Sequence, residues 1–235
     1  MRRSACRKKY IYLPYKLKKK MDTTYADVNP EILAYIRERI IPEYRHFDPA
    51  HRMGHASAVM GKALALGRHY DVNQDMIAMA AACHDLGLCE DRRNHHLVSG
   101  RIIRGNEDLR MWFSDGQIET IAQAAEDHRA SSDHEPRSIY GRIIAEADRQ
   151  INPRTVIRRT IQFGLGHYPE LDKEGHWQRM LDHLHEKYAE GGYLKLWIPE
   201  SSNASGLKRL RAVIRDEERL RGIFEEIFLQ ETSHV

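Results

Sequence analysis

The sequence has no long apolar run. Hydrophobic residues make up 41% of its 235 residues, but they never approach the roughly 20 consecutive positions that span a bilayer. We therefore expect no membrane-spanning segment and no membrane partner. The first residues also lack the apolar segment that is typical of a signal peptide, so we expect a cytoplasmic protein.

Cysteine is scarce, with only Cys6, Cys83 and Cys89 in the chain. Their spacing matches neither a disulfide framework nor a zinc finger. A small secreted scaffold held by disulfides is therefore excluded, and so is a metal site of the zinc-finger type. We interpret the three residues as reduced thiols, as expected in the cytoplasm.

Acidic residues are missing from residues 1–20, which carry nine lysines and arginines. Without this segment, 28 basic residues face 34 acidic ones, a net charge of −6 against +3 for the whole chain. The body is therefore mildly acidic, and we do not expect it to bind nucleic acid. We interpret residues 1–28 as a disordered basic tail. Two alternatives stay open for its first 20 residues: an upstream reading of the start codon, with Met21 as the true start, and an arm that binds nucleic acid or a membrane surface.

Strand-like alternation of apolar and polar residues is nearly absent, whereas helical spacing of apolar residues begins at residue 29. Asn29 and Pro30 suit the N-cap and first position of a helix, and Pro42 ends or kinks it. Ser114 and Gln117 fit a capping box at the start of a later helix. These patterns predict an all-α protein.

We predict a single helical domain at 29–230, with a core at about 30–150 and a helical extension at 151–230. After the first helix, further helices are predicted at about 53–70, 74–86, 95–104, 138–150, 154–164, 174–190 and 205–230.

A His-Asp doublet lies at the end of one predicted helix, in the segment Ala81–Gly87. Burying a polar side chain without a partner costs roughly 2–7 kcal/mol, and burying a charge costs more. A divalent metal would satisfy both residues, because imidazole nitrogen and carboxylate oxygen are good ligands for first-row ions. In the alternative interpretation, His84 interacts with the last carbonyls of the helix and Asp85 faces water. Gly87 suits a C-terminal cap with positive φ.

Several of the 14 histidines lie at predicted helix ends or beside acids. A hydrolytic metal site needs neutral imidazoles and carboxylates that converge from different helices, an open position for water, and positive groups for an anionic substrate. Adjacent side chains on a helix point about 100° apart. One member of the doublet can therefore bind an ion end-on while the carboxylate reaches sideways or bridges two ions.

The order of these residues resembles the pattern H…HD…D of the HD superfamily of metal-dependent phosphohydrolases, which are all-helical. The resemblance covers about residues 30–150. Its four positions correspond to His55, His84, Asp85 and Asp148. Members that hold two ions have two further histidines between the doublet and the last aspartate. His95 and His128 lie there, with His96 as the alternative to His95.

The resemblance implies a hydrolase that cleaves a phosphate ester of a nucleotide or another small phosphorylated metabolite. One or two divalent ions would lower the pKa of a bound water and neutralise charge on a phosphoryl oxygen, and the hydroxide would attack phosphorus. Histidine and carboxylate ligands without cysteine suit Mn, Fe, Co, Ni or Zn. Asp85 would be both a ligand and a catalytic residue.

Phosphate binding needs arginine or lysine near the ions. Arg92 and Arg93 lie in the charged loop after the doublet, and Arg129 follows a candidate ligand. We assign these three residues to substrate binding. Glu126 and Asp127 are assigned to catalysis, either by orienting a ligand histidine or by shuttling a proton.

Two departures from the superfamily bear on the substrate. Members that hydrolyse guanosine tetraphosphate carry Glu-Asp two residues after the doublet, whereas Glu90 and Asp91 come four residues after it here. Members that cleave cyclic dinucleotides carry Gly-Tyr-Pro after the doublet, and this motif does not follow it here. Both departures argue against these two activities.

Two rival functions remain. One is a non-catalytic module that senses a nucleotide or metal, and the other is a nucleic-acid-binding protein that acts through the basic tail. The partner we expect is a small phosphorylated substrate. The oligomeric state, including a homodimer, stays open.

Overall fold

The computed structural model describes residues 23–47, 53–132 and 134–233. Of the described residues, 71% are helical and none lies in a strand, which confirms the predicted all-α class. The α-helices are α1 (Pro30–Tyr35), α2 (Met53–Gly67), α3 (Gln74–Cys83), α4 (His95–Arg104), α5 (Asp115–Glu126), α6 (Ile139–Asp148), α7 (Pro153–His167), α8 (Lys173–Tyr188), α9 (Asn203–Arg215) and α10 (Glu217–Thr232). Within the described ranges, no helix has both the length and the apolar character that a bilayer crossing requires.

The predicted basic tail falls mostly on residues 1–22, which lie outside the described residues. Its last part is ordered. Thr23–Tyr25 form a 3-10 turn, and Val28 is buried in the hydrophobic core. Asp27 also forms an ion pair with Arg68 of α2 at 2.9 Å. Residues 23–28 are therefore packed against the helical body.

The first helix changes its geometry along its length. Asn29 caps it by accepting a hydrogen bond from the backbone N–H of Glu31 at 2.9 Å. After α1, the chain continues as a π-helix at Ile36–Ile40 and a 3-10 helix at Ile41–His46. Pro42 has no N–H to donate, so regular α-helix geometry cannot pass through it. The helical run continues past Pro42 and ends at His46, so the predicted end or kink at this proline stays a prediction.

Helix α3 lies at the centre of the first hydrophobic cluster. Every residue from Met76 to Cys83 is buried, and α3 contacts α2, α5 and α6. The alanines among them let these neighbours approach closely, because interiors are packed with few voids. Burial of each large apolar side chain contributes roughly 1.5–3 kcal/mol. The packing of this apolar helix therefore places the doublet, which follows it directly, inside the protein.

Tyr44 fixes the end of α3. Its side chain is fully buried, and its hydroxyl donates a hydrogen bond to the carbonyl of Ala82 at 2.8 Å. The same hydroxyl accepts a hydrogen bond from the backbone N–H of Asp85 at 3.3 Å. One side chain thus satisfies a carbonyl and an amide that the helix end leaves without partners.

Gly87 does not have the predicted positive φ, so its predicted role as a left-handed cap is wrong. Among the described glycines, Gly191 alone has positive φ, at 81°. Gly87 lies in a 3-10 helix, Leu86–Cys89, where its backbone packs against the start of α4. A Cβ atom there would lie 2.0 Å from the carbonyl oxygen of His95 and 2.7 Å from the amide nitrogen of Ser99. Close packing therefore explains the glycine.

A second hydrophobic cluster is built from α7 to α10 and the segment around Leu194. One helix was predicted at 205–230, but the structure has two. The break falls at Asp216, whose side chain caps α10 by accepting from the N–H of Arg219 at 3.1 Å. The predicted domain limits, with a division near residue 150, stay a prediction.

A buried carboxylate joins the two parts of the chain. Glu146 of α6 is fully buried. Its oxygens accept hydrogen bonds from the backbone N–H of Trp197 and the side-chain amide of Asn203, both at 2.8 Å. Ile198 also packs in the first hydrophobic cluster. The extension is therefore attached to the helix that ends in Asp148.

Candidate metal centre

Six candidate ligands meet where several helices end. They are His55 from α2, His84 and Asp85 after α3, His95 at the start of α4, His128 after α5, and Asp148 at the end of α6. The capping box of Ser114 and Gln117 is present at the start of α5, as predicted. The six side chains form two groups, each with ligand atoms that lie within 4.8 Å of one another.

The first group contains His55, His84 and Asp148. The Nε2 atom of His55 lies 3.1 Å from Oδ1 of Asp148, and Nε2 of His84 lies 3.7 Å from the same oxygen. Oδ2 of Asp85 borders this group, at 3.6 Å from His55 and 3.2 Å from His84. Two imidazoles and two carboxylates thus surround one small volume.

The second group contains Asp85, His95 and His128. Here Oδ1 of Asp85 lies 3.4 Å from Nε2 of each histidine. The two Nε2 atoms are 3.1 Å apart. Because one oxygen of Asp85 faces each group, this carboxylate is placed to bridge two ions.

Backbone carbonyls fix the orientation of three rings. Nδ1 of His84 lies 2.7 Å from the carbonyl oxygen of Ala81. The corresponding distances are 2.9 Å between His95 and Arg92 and 2.5 Å between His128 and Ala125. A carbonyl can only accept, so each Nδ1 donates, and in the neutral ring Nε2 carries a lone pair.

The cluster therefore fits a cation. The lone pairs of His95 and His128 face each other across 3.1 Å, and that of His84 faces the carboxylate of Asp85. Acceptor atoms at such distances repel unless a proton or metal ion lies between them. Histidine nitrogen and carboxylate oxygen are ligands of first-row divalent ions, and carbonyl-bonded Nδ1 atoms are typical of metal-binding histidines.

The charges in the cluster shift the pKa values in opposite directions. Burial lowers the pKa of His84, but the carboxylates of Asp85 and Asp148 outweigh burial and raise it to about 9. Burial and the neighbouring His128 lower the pKa of His95 to about 4. Burial raises the pKa of Asp85 and Asp148, but the neighbouring histidines outweigh it and hold both below their usual range.

The structure places His95 in the cluster and leaves its neighbour His96 outside both groups. The alternative assignment of the second-ion histidine to His96 is therefore not supported by the geometry. The sequence alone left the two open because adjacent histidines at the start of a helix have the same local context.

The two carboxylates assigned to catalysis have other partners. Glu126 pairs with Arg104, and with Arg137 at 2.7 Å. Asp127 accepts from the side chain of Arg137 at 2.7 and 2.9 Å and from its backbone N–H at 2.7 Å. The structure thus brings neither into the ligand groups. Their catalytic assignment stays a prediction, and their ion pairs hold the end of α5 in place.

The three arginines assigned to substrate binding lie on a surface loop and its neighbour. Arg92 and Arg93 are exposed, and Arg129 is half-buried. The guanidinium of Arg129 donates to the carbonyl of Arg93 at 2.6 Å. None of the three lines the pocket at the ligands, so their assignment also stays a prediction.

A pocket of about 330 Å³ opens beside the ligands. His55, His128 and Asp148 form one side of it. The opposite side comes from α7 and α8 of the extension, with residues such as Arg159, Arg179, His183, Lys187 and Tyr188. Sequence reasoning missed these residues because they lie far along the chain, without a motif. His176 of α8 is also buried, at 3% exposure.

Residues 52–152 match the family model named HD domain. The match supports membership of the HD-domain superfamily for this part of the chain. This match includes all six candidate ligands and ends before α7. HD domains are typical of metal-dependent phosphohydrolases, and the cluster is compatible with metal binding. No curated protein and no solved structure matches the chain.

Proposed function

We propose that this HD-domain protein is a metal-dependent phosphohydrolase that cleaves a phosphate ester of a nucleotide or another small phosphorylated metabolite. The observation that supports it most directly is the position of Asp85, whose two oxygens face two separate groups of ligands. Two ions about 3.5–4 Å apart are the usual arrangement for stabilising both oxygens of a phosphoryl displacement.

His55, His84 and Asp148 would hold one ion, and His95 and His128 the other, with Asp85 shared. Bound ions of this kind supply a water of lowered pKa and neutralise charge on a phosphoryl oxygen. Histidine and carboxylate ligands suit Mn, Fe, Co, Ni or Zn. The Nδ1 bonds to the backbone orient the three imidazoles so that Nε2 of each faces the position of an ion.

The burial of the ligands indicates the side from which a substrate approaches. The side chain of Asp85 is 4% exposed and that of His84 is fully buried, because apolar α3 covers them. The side chain of Asp148 is 30% exposed, and it lines the pocket. A phosphate group would therefore reach the ions from the pocket, while the opposite side stays closed to water.

Hydrolysis of a panel of phosphate esters by protein loaded with Mn or Co tests the proposal. We expect turnover by the wild type and a loss of about a hundredfold or more in Asp85→Asn, because transition-state charge loses its main support. Metal content, measured by mass spectrometry, should fall in His84→Gln and Asp85→Asn. His185→Gln is the matched control, because this histidine is exposed on α8.

Silence with every metal, together with unchanged metal content in the His84 and Asp85 variants, would contradict the proposal. Tight nucleotide binding without product would instead support a non-catalytic sensing module. We also propose a reducing, cytoplasmic compartment, because Cys83 and Cys89 are both free thiols.

A further inference from the structure

The pocket beside the ligands carries a strong excess of positive charge. Four of its lining residues are cations, and we call them the basic wall: Arg149, Arg159, Arg179 and Lys187. The lining contains one carboxylate, Asp148, and that group belongs to the metal cluster. The cations of the basic wall therefore outnumber the carboxylates in the lining of the pocket by four to one.

Arg149 is the most buried member of the wall. It is 8% exposed, although burying a charge is costly unless it is paired. Its Nε and Nη1 atoms have no hydrogen-bond partner among the described residues. The nearest carboxylate oxygen, on Glu146, lies 3.9 Å away and already accepts the N–H of Trp197. The guanidinium is thus left with donors that a ligand in the pocket can use.

Arg179 also has a hydrogen-bond donor without a partner among the described residues. One of its terminal nitrogens donates to the carbonyl of Thr160, but its buried Nε has no hydrogen-bond partner within the described part of the chain. Gly164 leaves room for this guanidinium, since a Cβ atom there would lie 2.9 Å from Nε. The chain thus holds a cation at the pocket with a donor unused.

Arg159 and Lys187 are half-buried and form no ion pair with any residue that the structure describes. Burial lowers the pKa of Lys187, and the neighbouring Arg149 adds to this effect. Cations placed together without carboxylate partners repel each other, and an anion in the pocket removes that repulsion.

We propose that the basic wall binds a second phosphate group of the substrate, while the first lies at the metal cluster. The inference rests on the proposed function. It narrows the substrate to a compound with at least two phosphate groups, such as a nucleoside diphosphate or a bisphosphate. The pocket, at about 330 Å³, is within the size range of small-molecule sites. Planar guanidinium groups bind phosphate oxygens in pairs.

Binding of inorganic pyrophosphate, measured by calorimetry on the full chain with metal ions removed, tests the wall. Inorganic phosphate serves as the single-anion comparison. We expect pyrophosphate to bind more tightly than phosphate, and its affinity to fall about tenfold or more in Arg159→Gln and in Lys187→Gln. The matched control is Arg209→Gln, which removes an exposed cation on α9 outside the pocket.

Circular dichroism shows whether each variant is folded. If Lys187→Gln does not fold, the binding measured for Arg159→Gln still tests the inference. Metal content should stay unchanged in the wall variants. In the metal-loaded protein, the same variants should raise KM for a nucleoside diphosphate and leave KM for a single-phosphate ester unchanged.

An equal loss of pyrophosphate affinity in Arg209→Gln, or no loss in the wall variants, overturns the inference. The two proposals fail separately. If esters are hydrolysed but pyrophosphate binding does not depend on the basic wall, only the second phosphate site is refuted. If pyrophosphate binding depends on the basic wall but no ester is hydrolysed, the phosphohydrolase proposal is refuted and the anion site is supported.

Discussion

Replacing Gly87 by alanine is expected to destabilise the protein and to disturb the second ligand group. The added Cβ would lie 2.0 Å from the carbonyl oxygen of His95 and 2.7 Å from the amide of Ser99. Both contacts are with backbone, which cannot rotate away as a side chain can. The start of α4 must therefore move, and His95 must move with it.

The magnitude follows from the type of contact. Overpacking costs typically about 1–3 kcal/mol, and a clash with backbone belongs at the upper end of that range. A loss of about 3 kcal/mol lowers Tm by roughly 6–12 °C in a chain of this size. Because Nε2 of His95 lies 3.4 Å from Asp85, a shift of about 1 Å suffices to spoil the ligand geometry.

Thermal unfolding and metal analysis measure the two effects, with Gly222→Ala as the control. A Cβ at Gly222 meets nothing within 4 Å, and the residue lies in α10. Alanine there should stabilise the helix by about 0.4–1 kcal/mol. We expect Gly87→Ala to retain at most one ion per chain. An unchanged Tm with full metal content would refute the role of Gly87 as a spacer.

Three further outcomes are expected. Because His84 has a pKa of about 9 in the metal-free cluster, it is protonated at pH 7 and must lose that proton to bind metal. The affinity for metal ions should therefore rise with pH up to about 9. Calorimetry in two buffers measures the proton release, and finding none contradicts this prediction. Burial raises the pKa of Cys83 to about 12, so brief alkylation of the native protein followed by mass spectrometry should leave Cys83 unlabelled while exposed Cys89 reacts. Ser114→Ala removes the capping box of α5 and should cost about 1 kcal/mol in denaturant unfolding; an unchanged midpoint argues against the cap.

The sequence indicated the six candidate ligands through its resemblance to the H…HD…D pattern, and each of them also lies beside a local signal. His84 and Asp85 follow an apolar helix directly, and the others sit at predicted helix ends. Helical periodicity shows which face of a segment is apolar, so the type and order of the helices could be predicted from the sequence. The prediction of all-α structure is confirmed for that reason.

Contacts between segments that lie far apart in the sequence could not be predicted from periodicity. The predicted conformation of Gly87 was wrong because a glycine that follows a helix is typical of a left-handed cap. What requires glycine at this position is the close packing of α4 against its backbone. The basic wall was missed because Arg159, Arg179 and Lys187 come from α7 and α8 and meet the ligands only in three dimensions. The partners of Glu126 depend on Arg137, which lies eleven positions later.

The hydrogen bonds of Glu146 make the two parts of the chain depend on each other for stability. The family match ends at residue 152, but two donors to this buried carboxylate come from Trp197 and Asn203. Removing one partner of a buried charge costs about 3–5 kcal/mol, a large share of the roughly 5–15 kcal/mol that stabilises a domain. The residues that match the family model therefore take part of their stability from a segment outside the match. A weakened contact there would be transmitted through α6 to Asp148, at the end of the same helix.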